Sequence, residues 1–530
     1  MKKWTALLLA AVMLLTLLPL AFAEEADPFG KYAEPVSIGI LTKDFKTGTT
    51  PYDSSNPARR SASENAWIDA YKSYLNIDVD RIIAEDDYAL NARISTLLAS
   101  GDLPDVIICE KEMATVLMEN EVVQDLYPAL NSFLETSAYV AACMDDAMFS
   151  FGIEDGKLYA FPITNNWYNA TQLLWVRQDW LNKVGKAVPT TIDELIDVAR
   201  AFRDAKLGGE DTVPLGMAND NKYYDFRGIL AAYGAVYDTW QPKGDGTYVY
   251  GCVMDGMDEG LLKLQEMYAD HLLAPDFATG GHLSEDVANS KCGMYYASGW
   301  HSVTDLKTNM MNDAEAEWVC VAIPTLDGER VKQWANGVSN WFVLVNESCE
   351  HPEAIFKMME LEQQVYMNPT KEQIPVLYTA DDGFLMWDMR VFRDFGRTDF
   401  DFYRSQLINA HLANGDSADA VEPVIYDFYT QIEKALAGDR SLLGRYICQT
   451  MAYPIDMKLL EGGWLCAQYG GPLTENMQLY QETLYADLNS AMVKVIMGED
   501  ISVFDKAVET WYQNGGQAIT DDVNAYYASR

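Results

Sequence analysis

The chain has 530 residues, 49% apolar and 12% aromatic, and its 39 Lys+Arg against 79 Asp+Glu give a formal charge of −40. This apolar content excludes an intrinsically disordered chain, and the length exceeds one ordinary core, pointing to roughly two to four domains or subdomains. A charge of this sign and size repels nucleic acid and anionic membrane surfaces, and it disfavours acidic polymers as partners.

Lys2 and Lys3 precede an apolar stretch from Ala6 to Leu18, followed by Pro19 and by Ala21-Phe22-Ala23 ahead of Glu24. This is the pattern of a secretory signal peptide over residues 1–23 with a small-x-small cleavage site. A retained membrane anchor is the rival reading; the short stretch and Pro19 speak against it. The first cysteine is Cys109, so on this reading no lipid anchor forms on a new N-terminal cysteine. Export permits disulfides among the eight cysteines. Cys109 and Cys320, however, sit in strand-like apolar runs, where a free cysteine packs as a small hydrophobe.

In chain order, Val36–Leu41 reads as a strand. Ser61-x-x-Glu64 reads as a capping box ahead of a helical stripe of Trp67, Ala70, Tyr71 and Tyr74. Ile77–Ile83 alternates like a strand, Leu90, Ile94, Leu97 and Leu98 form a second stripe that Gly101 can cap, and Asp105–Cys109 is a buried strand. This βαβαβ order predicts a largely parallel, doubly wound sheet. A second α/β region begins near Thr171, with a strand at 173–176 and a capping box at Thr191-x-x-Glu194 ahead of Leu195, Val198, Ala199 and Phe202. Strand-like runs recur at 292–297, 318–323 and 341–345, and the chain is mainly helical in period after His351. H-E-x-x-H, G-x-S-x-G, a Walker loop and the dinucleotide-binding glycine fingerprint are all absent from the sequence. A paired-carboxylate glycosidase stays open, because two carboxylates meet in space without any sequence spacing.

Several segments are similar to one known family in order along the chain. They are Leu97-Leu98-Ala99-Ser100-Gly101-Asp102-Leu103-Pro104-Asp105-Val106-Ile107, Asp155-Gly156-Lys157-Leu158-Tyr159-Ala160-Phe161-Pro162, and Arg177-Gln178-Asp179-Trp180-Leu181 with Val188-Pro189-Thr190-Thr191. Lys291-Cys292-Gly293-Met294 with Trp300, Pro352-Glu353-Ala354, and Phe504-Asp505 with Val508 follow more loosely. Together they resemble the extracellular solute-binding proteins, family 1, that feed bacterial ABC importers for sugars and oligosaccharides. The resemblance implies an α/β, two-lobed, periplasmic-binding-protein-like clamp, each lobe a mostly parallel sheet flanked by helices, with a helical C-terminal part. Lobe 1 would comprise 34–164 plus 317–350, and lobe 2 165–316 plus 351–530. The chain would cross between lobes at Pro162–Thr171 and return near Val319–Pro324.

On that reading the protein captures a carbohydrate, an oligosaccharide in the first instance, by hinge closure, and delivers it unaltered to membrane permease subunits. It would be an extracytoplasmic monomer with no cofactor, no nucleic-acid partner and no catalytic residue. A peptide or another polar metabolite in the same fold, and a secreted carbohydrate-active enzyme, are the alternatives. Sugars offer C–H faces that stack on aromatic rings and hydroxyls that need amide and carboxylate partners. Asn165, Asn166, Trp167 and Tyr168 supply both at the first crossing, or else form a turn that packs the hinge. Trp300 follows Ser298-Gly299, where a glycine lets a ligand approach the backbone. Glu110, and with it Lys43 and Asp44, stands at the carboxyl end of a strand, where open parallel sheets place ligand contacts. Trp240, Trp341 and Trp464 are loop-placed tryptophans of a kind more often structural, of which Trp240 and Trp464 are carried as candidates; Trp67, Trp175 and Trp180 read as core. The connection 205–215 lacks the alternating oxygens of a calcium cage, so no metal is expected there.

Overall fold

The computed structural model describes residues 30–529 except 44–51, 54, 86, 145–148, 150, 164–170, 219–225, 236–238, 280, 330–333, 336–338, 340, 379–385, 394, 462–464 and 467–468. The signal-peptide reading and six of the site candidates, Asp44, Asn165, Asn166, Trp167, Tyr168 and Trp464, lie outside the described residues. Among the described residues no helix is long and apolar enough to cross a membrane.

The chain runs through β1 (Val36–Lys43), β2 (Ile77–Glu85), β3 (Val106–Glu110) and β4 (Phe161–Ile163), then passes to β5 (Leu173–Arg177) and β6 (Val213–Gly216). After the ribbon β7 (Trp240–Pro242) and β8 (Tyr248–Tyr250) come β9 (Cys292–Ala297), β10 (Trp318–Val321) and β11 (Trp341–Val345). Two sheets result, ordered β2-β1-β3-β11-β4 and β10-β5-β9-β6. In each, one strand runs against all the others: β11 in the first sheet and β5 in the second. These are the two strands that enter a sheet from the other one. The chain leaves each sheet at the carboxyl edge of a strand and enters the next at the same kind of edge, so the entering strand has to run away from it. The direction of two strands thus fixes both crossings at the carboxyl edges.

The first sheet is covered on both faces. Val106, Ile108, Val343 and Val345 face one apolar cluster, while Ile107, Cys109, Phe342 and Leu344 face another, which is why these strands read as unbroken apolar runs. Gly39 interrupts the register of β1 against β2, and its N–H donates to the Asp105 carboxylate at 2.7 Å. The second half of the Gly-Asp-x-Pro-Asp turn therefore holds the bulge of the neighbouring strand. Asp155 and Gly156 both have positive φ, at 49° and 76°, the requirement of the two-residue turn joining Ile153–Glu154 to Lys157–Leu158.

The expected lobe boundaries shift in two places. β10 pairs with β5 in the second sheet, so the return to the first sheet falls between Val321 and Trp341 and the stretch from 317 does not belong with it. The helices Ala354–Met367, Phe400–Asn414 and Pro423–Leu436 contribute Ile355, Met358, Ile408, Ile425 and Ile432 to the core of the first sheet, whereas the resemblance places all of 351–530 with the second. The helices Glu475–Ile496, Ser502–Trp511 and Gln517–Ala528 do join the second core. Helical period reveals an apolar stripe but not which sheet will cover it.

Local signals hold where the side chain completes the motif. Thr191 and Glu194 form a reciprocal capping box. In the earlier helix the cap is Asn65, whose side chain accepts from the N–H groups of Trp67 and Ile68, not Ser61, which accepts from Glu64 in the loop before it. Cys109 and Cys320 are both buried, and neither is in a disulfide.

Candidate functional site

At the carboxyl edge of the first sheet Trp341 is flanked by two strand ends, and a lysine reaches its ring. Trp341, the first residue of β11, pairs with Glu110 at the end of β3 on one side and with Ile163 at the end of β4 on the other. Lys43 ends β1, and its ammonium lies 5.4 Å from the centre of the Trp341 ring, a cation–π contact that fixes the ring. Ser339 holds the start of the strand, donating to the Ile163 carbonyl at 2.7 Å and accepting from the Trp341 N–H at 3.2 Å. Trp341 is half-buried, so it packs on the core while leaving part of its ring exposed. The sequence reading sets Trp341 aside because a loop-placed tryptophan is more often structural. Its signal is the polar run just before it, Asn336-Gly337-Val338-Ser339-Asn340.

Lys111 follows Glu110 as the first residue of the helix Lys111–Glu119. Its ammonium donates to the Tyr469 carbonyl at 3.1 Å and lies 5.2 Å from the Phe151 ring and 5.1 Å from the Tyr469 ring. Phe151 belongs to a core of the first sheet and Tyr469 to the core of the second, so the two units meet at this lysine. Burial lowers its pKa to about 8.

At the matching edge of the second sheet, Ala297 ends β9 opposite Leu173, the first residue of β5. The chain turns there through Ser298 and Gly299 into Trp300 and His301, whose rings stack at 3.9 Å. His301 is buried and Trp300 half-buried. Gly299 has a different purpose from the one its sequence position indicates. A Cβ there would stand 2.9 Å from the Ala452 Cβ and 3.3 Å from the Tyr453 ring, so the missing side chain admits the C-terminal helices behind the turn rather than a ligand in front of it.

Of the described candidates, the structure brings Lys43 and Glu110 to one edge and puts Trp300 at the other. Trp240 is instead 8% exposed, tilted against Tyr250 at 5.4 Å, with Tyr250 stacked on Trp511. Its ring is committed to packing the ribbon on the C-terminal helices, a contact that no local pattern could announce. In the 205–215 connection, Glu210 pairs with Lys206 at 2.6 Å and Asp211 lies 3.9 Å from Lys291.

The family model described as bacterial extracellular solute-binding protein matches residues 66–357, more than half of the chain. This chain belongs to that family. The chain is similar to the fructooligosaccharide ABC transporter substrate-binding protein FusA of Streptococcus pneumoniae, 24% identical over 293 residues. That match covers 50% of this chain and 51% of FusA, so the chain spans about half the length of that relative. Lipoprotein LipO of Bacillus subtilis is 20% identical over 100% of this chain and 98% of its own. Among solved structures, an HMO-binding, ABC-transporter-associated solute-binding protein from Bifidobacterium longum infantis superposes with a TM-score of 0.63 at 14% identity, covering 94% of this chain and 99% of that one. FusA in complex with kestose gives 0.58 at 15% identity, with 93% and 99% covered. At such identities these structures share the two-lobed fold of this solute-binding protein.

Proposed function

We propose that this solute-binding protein is the extracytoplasmic receptor of an ABC importer, that it holds an oligosaccharide between its two sheets, and that it releases the sugar unaltered to the permease subunits. One observation carries the reading. Both crossings and two half-buried tryptophans, Trp341 and Trp300, lie at carboxyl edges of the two sheets, where ligands of open α/β sheets bind. A tryptophan from each side would sandwich the C–H faces of sugar rings, with Lys43, Glu110 and the amides of Asn165 and Asn166 at the hydroxyls. The relatives support the class, since FusA is named for fructooligosaccharides and the Bifidobacterium protein as HMO-binding. The lobes are taken as β1–β4 with β11 and residues 354–432, against β5–β10 with the last three helices.

The test is a thermal-shift and calorimetry panel of kestose, other neutral trisaccharides and their longer homologues, beside amino acids and tripeptides. An oligosaccharide is expected to raise the melting temperature, and Trp341→Ala to weaken its binding by roughly tenfold or more, as loss of a stacking ring does. A peptide shifting the melting temperature with no response to any sugar would overturn the carbohydrate reading.

A further inference from the structure

Lys111 stands where two electrostatic effects oppose a cation and no counter-charge among the described residues offsets them. Only 9% of it is exposed, and taking an ammonium out of water without a counter-charge is unfavourable. It is the first residue of a nine-residue helix, at the end whose aligned peptide dipoles repel positive charge. The chain carries 79 carboxylates, yet burial is the sole cause of the lysine's lowered pKa, with no carboxylate among the described residues contributing. Of its three N–H groups, one has an acceptor in the Tyr469 carbonyl. Two aromatic faces supply the remaining attraction.

A methionine would fill the same space between Phe151 and Tyr469 with none of these costs, so the charge calls for a partner that the described residues do not supply. The location says which partner. Lys111 adjoins Glu110 at the carboxyl edge of β3, beside the Lys43–Trp341 pair, and Tyr469 reaches it from the other core.

We propose that the oligosaccharide taken by this site is anionic, a uronate-bearing chain whose carboxylate is received by the Lys111 ammonium as the two sheets close on the sugar. The proposal rests on the carbohydrate reading above and narrows it. A charge of −40 acts against an anionic ligand at long range, but that field is screened within about 8 Å at physiological ionic strength. A buried ammonium acts at contact, where little water competes. A charge-assisted hydrogen bond supplies the lysine's counter-charge and would be absent for a neutral sugar.

The experiment compares matched trisaccharides by calorimetry on the purified protein: galacturonate against galactose, glucuronate against glucose, and mannuronate against mannose oligomers. At least one uronate trimer is expected to bind roughly tenfold or more tightly than its neutral partner, and to weaken as salt is added. Lys111→Met is expected to abolish that preference and its salt dependence. The unliganded variant should melt no lower than the parent, because the uncompensated charge is gone. Neutral trimers that bind as tightly as their uronate partners, or a uronate preference that survives in Lys111→Met, would overturn the proposal and leave the carbohydrate reading standing. No response to any of the six sugars would overturn the proposal, while a response to kestose or another sugar of the wider panel would leave the carbohydrate reading standing. A variant that melts well below the parent would mean that the ammonium is structural, and would also overturn it.

Discussion

Single residues divide by what their neighbours require of them. Trp67, Trp175 and Trp180 are buried as their apolar surroundings indicate, whereas Trp240 is committed to packing and Trp341 stands half-buried at a sheet edge. Glu362 is the sharpest case of a residue decided by its surroundings. It lies on the inner face of the helix Ala354–Met367 and accepts from the Tyr71 hydroxyl at 2.5 Å and the Phe392 N–H at 3.1 Å. Burial outweighs the attraction of Arg390 and these hydrogen bonds, and pushes its pKa up to about 7 from 4.5. With the folded-state value raised, the stability gained by keeping the proton is complete below about pH 4.5 and is lost as pH rises through about 7. Relative to Glu362→Gln, the wild type is expected to lose on the order of 3 kcal/mol across that window. Denaturant midpoints measured from about pH 4 to 8 check it, and parallel curves for the two proteins would sink it.

Elements are legible where their own residues complete them. The helix Ile192–Asp204 carries its cap, its box and its apolar face within one short segment. The helix Ala354–Met367 buries Glu360, Glu362, Gln363 and Gln364 along with its apolar residues, so no amphipathic period marks its inner face. The partners are distant in sequence: the Glu360 carboxylate accepts from the N–H groups of Ala138, Tyr139 and Val140. The turn after β9 is another element set from outside. Because Gly299 sits against Ala452 and Tyr453, Gly299→Ala is expected to cost about 1–3 kcal/mol by overpacking, and to displace the Trp300 ring. A lowered melting temperature together with altered tryptophan fluorescence checks both effects. An unchanged protein would mean that the C-terminal helices yield easily and do not brace the turn.

For the whole molecule, the crossings join two cores that also touch through the C-terminal helices. Ser405 donates to the Gln449 carbonyl at 2.7 Å, the Tyr453 hydroxyl lies 3.2 Å from the Asp401 carboxylate, and Tyr446 packs on both cores. Closure would therefore be a rotation of one unit on the other with these residues near the axis, driven by interactions that the ligand makes with both units only in the closed form. The radius of gyration in solution is expected to fall when a tightly bound sugar is added. An unchanged radius at saturation would exclude closure. The acid excess keeps such a carrier dispersed, without choosing its ligand.

Strand alternation, caps and turn residues act within a few positions of one another, so the elements, the order in which they build two α/β units, and the family are all legible in the chain alone. The places of Lys43, Glu110 and Trp300 at or beside strand ends are legible too. Three features exist only once the chain is folded: which sheet covers the helices after 351, that Trp341 rather than Trp240 reaches a sheet edge, and that Lys111 is a buried cation with no carboxylate beside it among the described residues. Each of these depends on residues more than a hundred positions away, and burial, which sets the energy of a ring or a charge, is a property of the assembled fold.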